Sequence, residues 1–239
     1  MTLTLDVWSD IACPWCYVGK RRLEGALKSY TKKTNEEVSL RWRSFELDSS
    51  APTEYPGDLR YAQRLARKYG RSETAAQEMI DSMDETAQKE GLVFDFESIR
   101  AGNTFDAHRL LHFAHERGLQ DALKERLFSA YFCEGKLMSD TDTLVRCAQD
   151  VGLDAGEVRT ILASDDYSKA VREDQATAGQ IGVRGVPFFV VAERFGLSGA
   201  QPAERILEVL LEASQDQAIK DHGESDHGEG AVCSPEAPC

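Results

Sequence analysis

Ser9-Asp-Ile-Ala-Cys13-Pro-Trp-Cys16-Tyr-Val-Gly19 is the stretch on which the reading of this 239-residue chain turns. Ahead of it, residues 2–8 alternate Leu3, Leu5 and Val7 with Thr2, Thr4 and Asp6, the period-two pattern of a strand. Behind it, Val18, Leu23, Leu27 and Tyr30 share one helical face. They predict a helix over 13–33, with Pro14 in the first turn, where a missing N–H costs nothing. The two cysteines therefore fall where a strand hands over to a helix. A thiolate at a helix N-terminus meets unpaired N–H groups and the positive end of the helix dipole, which lowers its pKa. Cys13 is expected to be the exposed sulfur, with Cys16 one turn on and close enough to form or break a disulfide with it. Stabilising the Cys13 thiolate favours the dithiol and makes the disulfide more oxidising. Trp15 is expected to shield the sulfurs and to offer apolar surface to an unfolded chain. Asp10 is expected to cap the turn.

Working outward, 37–47 alternates Val38, Leu40 and Trp42 and predicts a second strand, followed by turn chemistry over 49–57. From 58 to 181 the pattern is almost wholly helical, with predicted helices at 72–91, 104–117, 119–133, 141–151, 155–163 and 167–180. A β-branched and aromatic run over 186–192 predicts a buried strand, 195–200 its hairpin partner. Pro202 opens a last helix carrying Ile206, Val209 and Leu210. The order is βαβ, a long helical stretch, then ββα. It predicts one split α/β domain (1–57 and 182–213), a helical insertion domain (58–181) and an acidic flexible tail (214–239).

Composition narrows the function. Forty-one acids against 28 bases give a net charge of −13, which argues against nucleic acid and anionic membranes as partners. No run reaches the roughly 18 apolar residues that a membrane span needs. The first ten residues lack the features of a signal peptide, so a cytoplasmic location is expected. In a reducing compartment, closely spaced cysteines point to redox or metal chemistry rather than a structural framework. Zinc would want four ligands, and the other close pair, Cys233 and Cys239, lies far away on the tail. A buried inert pair fits poorly with Pro14 between the cysteines. His108, His112 and His115 share a helical face but lack a neighbouring cysteine, so they read as ordinary polar contacts and no metal site is predicted. Cys133 and Cys147, each isolated on a predicted helix, read as buried inert thiols. No glycine loop for phosphate is present.

Gly185-Val186-Pro187-Phe188 completes the pattern. A proline opening a strand is a candidate cis bond, and here it can face the dithiol. Val186 would then offer its backbone N–H and C=O to an extended substrate chain.

Taken together, residues 9–19, Asn103-Thr-Phe-Asp-Ala-His-Arg-Leu110 and Gly182-Val-Arg-Gly-Val-Pro-Phe-Phe189 resemble the DsbA-type thioredoxin-like oxidoreductases, and more closely their FrnE-like cytosolic branch. The resemblance implies a thioredoxin-like α/β fold, with a mixed sheet in the order βαβ…ββα, a large all-helical insertion and a flexible tail. It implies Cys13 as nucleophile, Cys16 as resolving thiol, Pro187 in cis, and Asn103 and Thr104 near the cleft between the domains. Glutathione-dependent isomerases and kappa-class transferases of the same superfamily usually carry serine in place of Cys13 and lack the second cysteine, so this pair favours thiol–disulfide exchange. The expected activity is that of a cytosolic protein thiol–disulfide oxidoreductase or isomerase. The alternatives are a holdase-like chaperone with secondary redox activity, or a glutathione-dependent isomerase or transferase of small molecules. No organic or metal cofactor is expected. Unfolded or misoxidised proteins are the expected substrates, with glutathione or thioredoxin as candidate electron partners.

The tail adds one more expectation. Cys233 and Cys239 have five residues between them, with Pro235 and Pro238 favouring a turn, so a bridge is geometrically easy. A flexible linker over 214–232 would span about 24 Å on average, enough to bring this auxiliary pair to Cys13 as a relay. The basic runs Lys20-Arg21-Arg22 and Arg64/Arg67-Lys68 are the surfaces expected to hold that acidic linker.

Overall fold

The computed structural model describes residues 2–55 and 59–223, with side chains to 217. Strand β1 (Leu3–Ser9) is central. It runs parallel to β2 (Val38–Ser44), with Leu5 opposite Leu40, and antiparallel to β3 (Phe188–Val191), with Val7 opposite Phe189. β3 turns back into β4 (Phe195–Ser198), giving the order β2-β1-β3-β4. This is a thioredoxin-like mixed sheet. Helix α1 (Pro14–Thr34) connects β1 to β2, and α9 (Ala203–Gly223) follows β4. Between β2 and β3 come α2 (Tyr61–Tyr69), α3 (Glu73–Lys89), α4 (Phe105–His115), α5 (Gln120–Phe132), α6 (Thr141–Asp150), α7 (Ala155–Leu162) and α8 (Ser168–Gln180).

The alternation in β1 divides its side chains between two surroundings, as a strand must. Leu3, Leu5 and Val7 join Trp42, Phe189 and Val191 in a core closed by Leu23, Ala26 and Tyr30 of α1 and by Ile206, Val209 and Leu210 of α9. Trp8 faces the other way. It packs with Ala178 and Val183, and its indole N–H donates to the Asp174 carbonyl at 2.9 Å. The cysteines belong to neither of these groups. Cys13, Cys16 and Tyr17 are packed with Leu110, Phe94, Phe128 and Phe132 of the helical insertion, so the start of α1 is held from behind by the helical core.

One edge of the sheet is closed by a side chain. The Gln120 amide accepts from the Trp42 N–H and donates to the Trp42 carbonyl, both at 2.9 Å, mimicking a neighbouring strand. An open edge of β2 would otherwise invite pairing with another chain. The Trp42 indole donates to Asp121 at 2.9 Å beside it.

Several expectations are corrected. Helix α9 continues to Gly223, so the backbone over 214–223 is helical rather than linker. Gln215, Gln217, Ala218 and Lys220 are good helix formers, and no glycine or proline intervenes before Gly223. Cys233 and Cys239 lie outside the described residues. The basic run at the start of α1 is not a free patch. Lys20 is buried among Glu24, Asp121 and Glu125, Arg21 pairs with Glu24 and Glu125, and Arg22 pairs with Glu90. Cys147 is buried as expected, but Cys133, at the C-terminal end of α5, is exposed. Among the described residues, no helix is long and apolar enough to cross a membrane.

Candidate functional site

The antiparallel pairing of β1 with β3 builds the site. Because Trp8 lies opposite Phe188, the loop leaving β1 and the residues entering β3 are neighbours, although they are more than 170 positions apart in sequence. Cys13 is the N-cap of α1, its backbone extended and Pro14 in the first turn. Its N–H donates to the Asp10 carbonyl at 3.2 Å, and its own carbonyl accepts from the Cys16 N–H at 3.0 Å, which folds the two sulfurs onto one turn. Both thiols are free. Cys13 donates to the Val186 carbonyl at 3.5 Å, and the Val186–Pro187 peptide bond is cis. Burial pushes the Cys16 thiol well above its ordinary range, and its hydrogen bond to the Cys13 sulfur pushes the same way.

Gly19 lets this arrangement close. A Cβ at position 19 would sit 2.9 Å from Pro187 Cγ, so only glycine allows the first turns of α1 to approach the proline ring. Gly19→Ala is expected to push Pro187 away from the sulfurs at a cost of about 1–3 kcal/mol, read as a lower thermal midpoint. An unchanged midpoint would show that the ring moves aside freely.

Cys13, expected to be exposed, is buried, and Trp15 keeps the apolar surface expected of it without covering the sulfur. Cys13 is 4% exposed, whereas Trp15 is 45% exposed. The Val186–Pro187 segment and the insertion cover the sulfur, while the indole stands out into solvent as an apolar rim beside it. Tyr61, on α2, approaches from the insertion. Burial pushes its phenol up, and the neighbouring Cys13 sulfur adds to that. The Val186 carbonyl, expected to be free for a substrate chain, is here the acceptor of the Cys13 thiol.

Beneath the dithiol lies a buried polar group. The Asp10 carboxylate accepts from the Leu47 N–H at 2.8 Å and the Ala12 N–H at 3.3 Å, so it braces the β1–α1 loop rather than capping α1. His108 Nε2 stands 3.4 Å from the same carboxylate. Burial alone would raise Asp10, but His108, the Leu47 N–H and Lys124 outweigh it and hold the carboxyl below the usual range. Burial drives His108 down, against the pull of Asp10. Lys124 of α5 is fully buried in the same layer, and burial lowers it to about 8.

Residues 4–211 match the DSBA-like thioredoxin domain. The chain belongs to that family. Among solved structures it is similar to a probable DsbA oxidoreductase of Streptomyces coelicolor, with 38% identity, TM-score 0.80, and coverage of 98% of this chain and 95% of that one. The cytosolic disulfide reductase DsbM of Pseudomonas aeruginosa shares the fold, with 17% identity, TM-score 0.57, and coverage of 92% of this chain and 98% of that one. The uncharacterized protein YwbO of Bacillus subtilis is 28% identical over 195 residues, covering 81% of this chain and 88% of that protein.

Within this DsbA-like chain, Cys13, Pro14, Trp15, Cys16, Val186 and Pro187 all come together at the head of α1. Asn103 and Thr104 lie where the start of α4 meets the segment after β2. The Asn103 carboxamide accepts from the Phe105 N–H at 2.8 Å, and its backbone N–H donates to the Pro52 carbonyl at 2.9 Å, so it fastens the start of α4 to the segment after β2. Thr104 is buried as the N-cap of α4. His112 turns to Ser44 at 3.1 Å and Asp174 at 3.1 Å, away from His108. Sequence reasoning missed Lys124, Tyr61 and the pairing of Asp10 with His108. Lys124 had a signal. It interrupts the stripe Leu123, Leu127, Phe128 that α5 turns toward the core, where a lysine does not belong unless it has work there.

Proposed function

We propose that the protein is a cytosolic thiol–disulfide oxidoreductase acting on protein disulfides, with Cys13 as nucleophile and Cys16 as resolving thiol. The observation that carries this reading is the placement of two free thiols on the first turn of α1, with the Cys13 sulfur against Val186–Pro187. The Cys13 thiolate attacks one sulfur of a substrate disulfide. A mixed disulfide forms, and the other substrate sulfur leaves as a thiolate that takes a proton. Cys16 then displaces the second substrate sulfur, closing the Cys13–Cys16 disulfide. Two electrons pass from the protein to the substrate, and the reverse sequence oxidises a dithiol substrate.

Burial suits these roles. Cys16 sits at 0% exposure with its hydrogen bond to Cys13, whereas Cys13, at 4%, is covered by Val186–Pro187 and lies beside exposed Trp15, so a substrate reaches it by displacing the Val186 contact. The indole offers an apolar surface to the kind of chain that exposes a disulfide when unfolded. The cytosolic disulfide reductase DsbM, which has the same fold, supports the cytosolic reading. Whether the chain acts as reductase or isomerase follows from its potential against the cellular thiol pool. The test is insulin reduction by the full chain with a small dithiol as electron source. The expected result is precipitation of the insulin B chain well ahead of the dithiol alone. Precipitation no faster than that blank would refute the proposal.

A further inference from the structure

Lys124 reaches from α5 into the apolar layer behind the dithiol. Its side chain is fully buried, and among the described residues its Nζ has no hydrogen-bond partner. It lies 5.0 Å from the centroid of Phe128 and 5.6 Å from that of Trp42. Phe128 stacks on Tyr17 at 4.8 Å, the residue next to Cys16. An unpartnered cation in such surroundings is a costly arrangement that methionine, of similar length, would avoid. The charged and titratable groups that face Lys124 are the Cys16 and Cys13 sulfurs of α1, Asp10 of the β1–α1 loop, His108 of α4 and Asp121 of its own helix. Asp10 is already engaged by Leu47, Ala12 and His108, and Asp121 by Lys20 and the Trp42 indole. Neither sulfur is hydrogen-bonded to the amine in this resting dithiol, yet the two sulfurs face it and are the groups whose charge changes during thiol exchange.

We propose that the neutral Lys124 amine takes the Cys16 proton when Cys16 attacks the mixed disulfide, so that α5 supplies the base for the resolving step. This rests on the reading of Cys16 as the resolving thiol. In that step the Cys16 S–H bond breaks and its proton goes to Lys124 Nζ. The electron pair left on Cys16 forms the bond to Cys13 Sγ, and the substrate sulfur departs with the pair of the broken S–S bond. The ammonium then returns the proton to the departing thiolate. The dithiol is oxidised and the substrate disulfide is reduced. The charge pair formed on the way, Cys16 thiolate beside Lys124 ammonium, leaves the net charge of the buried layer unchanged. Burial works in favour of the transfer, because it makes an amine that releases its proton near neutrality and a thiol that will not ionise unaided.

The test uses the full chain and oxidised glutathione, with the Cys13–glutathione adduct followed by acid quench and mass spectrometry from pH 6 to 10. In the wild type the decay of the adduct is expected to accelerate with pH through an inflection near 8, the value to which burial lowers Lys124. In Lys124→Met the decay at pH 8 is expected to slow about 10²-fold, the usual worth of a positioned base, and the inflection near 8 to vanish. Its thermal midpoint is expected to hold or rise, since a buried charge has gone. Lys124→Arg, which keeps the charge but cannot accept a proton, is expected to be as slow as Lys124→Met. Adduct decay in Lys124→Met that keeps the wild-type rate and pH profile would overturn the proposal, as would rescue by arginine. If the adduct decays as fast in Cys16→Ala as in the wild type, the resolving role itself is wrong. A Cys16-dependent decay indifferent to Lys124 sinks only the present inference.

Discussion

Cys13→Ser is expected to abolish insulin reduction, a fall of about 10³-fold or more, because an alcohol oxygen forms no reversible bond with a disulfide sulfur. The substitution is close to isosteric. A serine hydroxyl can still donate to the Val186 carbonyl that the thiol now meets at 3.5 Å, and the Asp10 and Cys16 backbone bonds of the turn do not involve the side chain. The fold should therefore survive, with a thermal midpoint close to that of the wild type. That combination separates an exchange enzyme from a holdase. A chaperone built on the apolar rim at Trp15 would keep its power to suppress aggregation in the serine chain, and any insulin effect it had would persist. Reductase activity retained in Cys13→Ser would move the chemistry to another thiol, and exposed Cys133 would be the first to suspect.

The second large effect concerns the wall behind the dithiol. Phe128 is completely buried, stacked at 4.8 Å on Tyr17 and 6.3 Å from Phe132. It joins α5 of the insertion to α1, which carries both cysteines. Phe128→Ala is expected to cost about 3–5 kcal/mol, a large part of the total for a typical domain. The thermal midpoint should fall by about 6–20 °C. Because the cavity opens directly behind the first turns of α1, the loss should also loosen the dithiol, so that Cys16 reacts with an alkylating agent at a temperature where the wild type protects it. Phe128→Leu, which refills most of the space, should recover most of the midpoint. A midpoint within a degree of the wild type in Phe128→Ala would mean that the insertion and α1 are stabilised independently.

Much of this was legible in the chain because the signals are local. The alternation of Leu3, Leu5 and Val7 is confined to one strand, the proline of Cys13-Pro-Trp-Cys16 marks a helix start, and Pro187 stands at the head of a β-branched run. These features carry their meaning within a few residues. What could not be read depends on partners brought together by the fold. Asp10 accepts from the Ala12 N–H of its own turn, but its other partners, Leu47 from the segment after β2 and His108 from α4, are brought to it only by the fold. Cys13 looks exposed until Val186, 173 positions away, is laid over it, and Trp15 then turns outward instead. Lys20-Arg21-Arg22 looks like a basic patch, but its acids come from α5 and from Glu90 just past α3 as well as from α1. The end of α9 is hidden for another reason. Its apolar face weakens after Ala213 while its helix propensity does not, and the helix follows propensity to Gly223.

The measurement that bears most directly on the account is covalent trapping with Cys16→Ser. Once the resolving thiol is gone, a disulfide-bonded protein such as insulin should remain attached to the chain through a single mixed disulfide. Peptide mapping should place that bond on Cys13, and a small dithiol should release it. The wild type, treated identically, should hold almost none. An adduct absent from Cys16→Ser, or mapped to Cys133 or Cys147, would contradict the assignment of Cys13 as the nucleophile on which the whole reading rests.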